Sequence, residues 1–181
     1  MKLLRTIQLD ASDTFIFEKS AAPGEWAVSG AFVFWDGDPS ALEGKARSAF
    51  RGGFLGLPSL GWSTLVQVVE ANESDRAALV AMLAQRLIDD FGAPDMAAAR
   101  GAAEDEVAFV ESLCDQPQDV LIAVHRSYDD GAVHESFRTL RPRNGAKPAR
   151  AFSFFDVEGE DEEAAPGDVV DLAAMAQRDR K

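Results

Sequence analysis

The chain carries only two histidines, His125 and His134, one on each side of Asp130-Gly131. Imidazoles so placed could ligate a transition metal or move protons near neutral pH. Two ligands fall short of the three protein ligands of a catalytic zinc, and no HExxH or HxH spacing supplies another. The plainer reading is a pair of exposed imidazoles on one face of a hairpin. Cys114, the single cysteine, would be a nucleophile if either histidine stood beside it, because an adjacent imidazole draws off the thiol proton. It falls instead on the apolar stripe of a helix, where a buried thiol is inert. Gly44-Lys45 lacks the upstream glycine of a P-loop and is followed by Ala46 where a hydroxyl should meet magnesium; neither GxGxxG nor GxSxG occurs. Asp36-Gly37-Asp38 opens like a calcium loop until Pro39 and Ala41 break the pattern. Asp89-Asp90 and Glu104-Asp105-Glu106 read as solvated helix faces. No catalytic residue, metal set or cofactor is assigned.

Apolar side chains make the stronger signal. In Gly52-Gly53-Phe54-Leu55-Gly56-Leu57-Pro58-Ser59-Leu60-Gly61-Trp62, large apolar residues alternate with glycine and proline, a composition ill suited to regular structure. Burial beneath the core is the plainer account. The functional account is a mobile apolar loop with Phe54, Leu55, Leu57 and Trp62 as contacts for a ligand or partner. Further along, Arg138, Arg141, Arg143, Lys147 and Arg150 follow one another with no acid between them, and Phe152, Phe154 and Phe155 lead into the acidic run Glu158 to Glu163. These arginines and phenylalanines are interaction candidates. Trp26 and Trp35, with His125 and His134 as acid or base, are the candidates for a rival reading as a small-molecule pocket.

The elements that must position these residues follow from pattern. Short strands are expected at Lys2 to Asp10, Thr14 to Phe17 and Trp26 to Trp35, with a helix from about Ala41 to Phe50 that stops at Gly52-Gly53. Trp62 to Glu70 is a further strand. Asn72 or Ser74 caps a helix whose stripe is Arg76, Val80, Leu83, Leu87 and Phe91, ended by Gly92 and Pro94. Asp95 begins another, with Met96, Ala99, Ala103, Val107, Val110 and Cys114 along one side. Val120 to Tyr128 and Ala132 to Leu140 form a hairpin. With Asp130-Gly131 as a two-residue loop, Arg126 faces Glu135 and Val124 faces Phe137, while both histidines share the other face. The expected fold is α+β: an antiparallel sheet of five to six strands packed with two to three helices. Residues 1–143 form the domain; 144–181 are a flexible acidic tail able to form a short helix near 168–178, where Val169, Leu172, Ala173 and Ala176 share a face.

Composition bounds what remains. The 181 residues are 46% hydrophobic and 27% charged, ordinary for a globular chain with a real core. The formal net charge of -13 repels the phosphates of nucleic acid and anionic membranes alike. No apolar run reaches the length of a spanning helix, and the start lacks the apolar region of a signal peptide. A cytoplasmic chain is expected, consistent with a lone cysteine.

Leu3-Leu4-Arg5, Pro23-Gly24-Glu25-Trp26-Ala27-Val28-Ser29-Gly30, Phe34-Trp35, Gly61-Trp62-Ser63-Thr64-Leu65-Val66-Gln67 and Phe137-Arg138-Thr139-Leu140-Arg141-Pro142-Arg143 together resemble an uncharacterised family of small acidic proteins from alphaproteobacteria, over about residues 1–143. The resemblance implies encoding beside molybdenum-dependent oxidoreductases and ligase-like proteins of the biotin or lipoate type; it carries over no catalytic residue. The expectation is a non-catalytic cytoplasmic accessory protein with a protein partner, supporting maturation of a bacterial oxidoreductase. A small-molecule binder or enzyme is the alternative.

Overall fold

A computed structural model describes residues 1–142 and 155–158, with 141–142 and 155–158 described by backbone alone. In chain order the elements are β1 (Lys2–Ile7), α1 (Ser12–Ile16), β2 (Ala27–Val28), α2 (Gly44–Gly52), β3 (Phe54–Gly56), β4 (Gly61–Ser63), β5 (Leu65–Glu70), α3 (Glu73–Asp89), α4 (Met96–Leu113), β6 (Leu121–Asp129), β7 (Ala132–Pro142) and β8 (Phe155–Glu158). Four antiparallel strands in the order β1-β5-β6-β7 make the main sheet, and the backbone of β8 pairs along the outer edge of β7. β2, β3 and β4 make a second, smaller antiparallel sheet. The fold is α+β, as the pattern of strands and helices implies.

The core follows from alternation. Registers Leu4↔Val68 and Val66↔Ile122 place these side chains on one face of the main sheet, joined by Val124, and all are buried. At about 25 cal/mol per Å2 of apolar surface removed from water, each such side chain contributes roughly 1.5–3 kcal/mol. Leu79, Val80 and Leu83 of α3 and Ala99, Ala103, Val107 and Val110 of α4 belong to the same buried cluster, the small alanines letting the two helices pack closely. Asn72 caps α3: its side chain accepts from Asp75 N–H, and the Asp75 carboxylate accepts from Asn72 N–H. Asp95 caps α4 in the same manner through Ala98 N–H. Arg76, expected on the apolar stripe, instead pairs across the two helices with Glu111 at 3.1 Å.

Several local expectations are corrected. Thr14 to Phe17 is not a strand: Asp10 accepts Ser12 N–H at 2.8 Å, the chain winds into α1, and Asp13 turns inward. Its carboxylate accepts Thr64 N–H at 3.2 Å and the Thr64 hydroxyl at 2.5 Å, holding the corner where the expected strand Trp62 to Glu70 divides and passes from the small sheet to the main one. The expected strand Trp26 to Trp35 is strand only at Ala27–Val28, because Gly30 takes φ of +78° and Ala31–Phe34 coils into a 3-10 turn. The segment from Gly52 to Trp62 holds two short strands, β3 and β4, joined by a turn at Leu57–Leu60. Its glycines let β3 and β4 lie against other backbone and rings: a Cβ on Gly61 would fall 2.6 Å from the backbone of Ser20 and Ala21, and one on Gly53 2.7 Å from the Trp62 ring. The helix expected from Ala41 begins at Gly44, since Asp38 caps a separate 3-10 turn at Pro39–Ala41 and Leu42 is extended. Arg143, Phe152, Phe154 and the helix expected near 168–178 lie outside the described residues, and so does the tail beyond 158.

Candidate functional site

β6 and β7 meet in the register expected of a two-residue loop, with Arg126↔Glu135 and Val124↔Phe137 opposite one another, and Asp130 and Gly131 both at positive φ. Alternation puts Arg126 on the same face as Ile122 and Val124, so its side chain enters the interior and is fully buried. A buried guanidinium must have every donor satisfied. Nε donates to Glu135 Oε1 at 2.7 Å; Nη1 donates to the carbonyls of Phe50 at 3.0 Å and Gly53 at 2.7 Å; Nη2 donates to the carbonyl and hydroxyl of Ser29 at 2.5 and 3.1 Å. Ser29 in turn donates its hydroxyl to Glu135 at 2.5 Å. Glu106 of α4 approaches from the other side and accepts Gly30 N–H at 3.2 Å. Burial pushes the Glu106 carboxyl above the usual carboxylate range; the Gly30 N–H opposes this, the nearby Glu135 charge adds to it, and Arg126 again opposes it. The Arg126 guanidinium is itself lowered by burial and raised by Glu135 and Glu106. This network joins α2, both sheets and α4. With all five N–H groups committed, Arg126 holds structure in place and has none to offer a ligand.

A different region is open to partners. The 3-10 turn Ala31–Phe34 leaves Trp35 72% exposed, between two cavities. The larger, of about 460 Å3, is walled by Phe32, Val33, Leu87, Phe91, Pro94 and Ala98, with Asp36 and Asp90 on its lining. Phe32 meets Phe91 edge to face at 5.3 Å, which fixes the turn onto the end of α3. The smaller, of about 350 Å3, lies toward the β6–β7 hairpin against Phe34, Tyr128 and Val133. An apolar groove with a projecting indole provides both a pocket and an anchor.

The sequence candidates scatter. Phe54, Leu55 and Leu57 are buried in the core, and Trp62 is partly buried with its ring stacked on Phe34 at 5.3 Å. Trp26 lies under Arg5, whose guanidinium sits 3.7 Å above the ring. His125 and His134 share the outer, exposed face of the hairpin, opposite to Arg126. Neither cavity beside Trp35 is lined by Trp26, Trp62 or a histidine. Arg138 is exposed on β7; Arg141 and Phe155 lie in the backbone of β7 and β8, where Arg141 stands opposite Asp156 and Phe155 opposite Pro142. Cys114 closes α4, buried, and burial pushes its thiol up to about 12. Sequence reasoning missed the burial of Arg126 and the roles of Asp13 and Glu106. The first was detectable, since the register that pairs Arg126 with Glu135 also places them beside Val124 and Phe137. A family defined by sequence matches the chain over residues 1–156. No curated protein and no solved structure matches it.

Proposed function

The chain belongs to a family of unknown function, DUF6505, and from that premise we propose that it is a non-catalytic accessory protein that binds a protein partner through the groove beside Trp35. The observation that carries this reading is the exposure of Trp35 next to a wall of six apolar side chains. A large indole left in water costs free energy that burial against a partner recovers, and tryptophan is among the residues on which binding energy concentrates. Asp36 and Asp90 on the groove, in a chain of net charge -13, suit a partner segment that is apolar with basic flanks. The setting that the family resemblance implies is the cytoplasm of an alphaproteobacterium and the maturation of an oxidoreductase. The alternative, a small-molecule binder or enzyme with a histidine acid or base, draws no support from the groove, because both histidines stand on the exposed face of the hairpin. The test is affinity capture from native lysate with the wild type, Trp35→Ala and a form ending at Arg143. A specific partner retained by the wild type and lost with Trp35→Ala supports the groove; equal retention by both, or no specific partner with any form, refutes it.

A further inference from the structure

A third cavity, of about 320 Å3, opens between α2 and the end of β6 and shares no lining residue with the groove. Ser40, Arg47, Arg51, Ser127, Tyr128 and Asp129 surround it, and the Arg126 network forms its inner side. Arg47 and Arg51 are one helical turn apart, so both project from the same side of α2 into this space. Like charges at that spacing repel unless an anion lies between them. The Arg51 guanidinium makes no hydrogen bond or ion pair among the described residues, and Arg47 commits only Nε, to the carbonyl of Leu42 at 2.7 Å. Arg126 contributes rigidity: by gripping the carbonyls of Phe50 and Gly53 it fixes the end of α2 against β6, so Arg47 and Arg51 line the cavity across a set width from Tyr128, which alternation puts on the same face of β6 as Arg126. Its own charge is balanced by Glu135.

We propose that this cavity is a binding site for a small phosphate-bearing anion, with Arg47 and Arg51 as the charged ligands. Two guanidinium forks with Tyr128 on another side match the spread oxygens of a tetrahedral dianion, whereas the two coplanar oxygens of a carboxylate are satisfied by one fork. The volume admits phosphate with a small organic group. A polyanion such as nucleic acid is repelled by the net charge of -13, while a small anion inside the cavity lies within about 10 Å of the two arginines, where salt screens less than across the surface. Asp129 is the one carboxylate on the lining and opposes binding.

Titration calorimetry on the full chain, at fixed ionic strength in a phosphate-free buffer, tests the site with inorganic phosphate, glycerol phosphate and succinate as probes. One saturable site for a phosphate probe is expected, with affinity falling about tenfold or more in Arg47→Gln and in Arg51→Gln, rising in Asp129→Asn, and unchanged in Arg100→Gln, whose side chain lies exposed on α4. Tighter binding of glycerol phosphate than of inorganic phosphate assigns a monoester; equal affinity assigns the free ion. No saturable binding of either phosphate probe, succinate binding as tightly as both, or an equal loss with Arg100→Gln overturns the proposal. The substituted side chains are exposed, so melting curves of the variants should overlay the wild type and loss of binding cannot be confused with loss of fold.

Discussion

Arg126 is a charge taken wholly out of water and repaid by one carboxylate and four other acceptor contacts. Removing one partner of such a pair is expensive, because the other stays buried and uncompensated. Arg126→Met should therefore destabilise the protein by about 3–5 kcal/mol, read from chemical denaturation, and Arg126→Met with Glu135→Leu should recover part of that loss. A double variant less stable than the sum of its parts would show that the carbonyls of Phe50, Gly53 and Ser29, rather than the charge, dominate the penalty. Glu106 makes a prediction of opposite sign. Its folded-state pKa lies above the unfolded one, so its proton is held more tightly in the native state, and its ionisation costs stability as pH rises through the raised value. Glu106→Gln keeps an oxygen to accept Gly30 N–H and should raise the melting temperature near pH 7, with the gain shrinking to nothing as pH falls below about 4.5, the ordinary glutamate value. A gain independent of pH would remove burial of charge as its cause. In the sequence, the facing of Arg126 and Glu135 was legible from the Asp-Gly turn, and the same register set both beside Val124 and Phe137; their burial was missed because an arginine in a strand is ordinarily read as an outward residue. The exposure of Trp35 was hidden for the converse reason.

The elements differ in how openly they announce themselves. α3 and α4 were legible because each has a cap and an apolar stripe of helical period, signals that act locally. The β6–β7 hairpin was legible through its turn. α1 was not, since five residues containing Phe15 and Ile16 look like strand until Asp13 is known to reach Thr64, a contact that no local pattern records. β3 was hidden by its glycines, which ordinarily mark loops, and β4 was read only as the start of the strand Trp62 to Glu70. Here the glycines mark close approach: the chain at Lys19–Ala21 exchanges backbone hydrogen bonds with Trp62 at 2.8 and 2.9 Å, leaving no room for a side chain on Gly61. Gly61→Ala should therefore cost about 2 kcal/mol or more, since the neighbouring atoms are backbone and cannot swing aside. Gly101→Ala, in α4 with open space at the Cβ, should instead stabilise by up to about 1 kcal/mol. Melting curves of the two single variants should move in opposite directions, and a neutral Gly61→Ala would mean that the segment Lys19–Ala21 yields.

Across the whole molecule, 31 acidic against 18 basic side chains leave a self-repelling charge of -13. Mutual repulsion weakens the compact state and is screened by salt. The melting temperature should rise by a few degrees between low salt and about 0.2 M sodium chloride, and a flat response would mean that local pairs such as Arg76–Glu111 and Arg86–Asp90 already neutralise the field. The Arg126 network has a different consequence, in time rather than in energy. Its partners lie 9, 73, 76 and 97 residues away along the chain. Closing loops of that length precedes any reward from the contacts, so the network belongs to the last stage of folding, after both sheets and α2 have met. An interaction absent from the transition state governs how fast the native protein comes apart and not how fast it assembles. Loss of Arg126 should then appear as a steep rise in the unfolding rate with the refolding rate nearly unchanged, making this one guanidinium the latch on the lifetime of the folded chain.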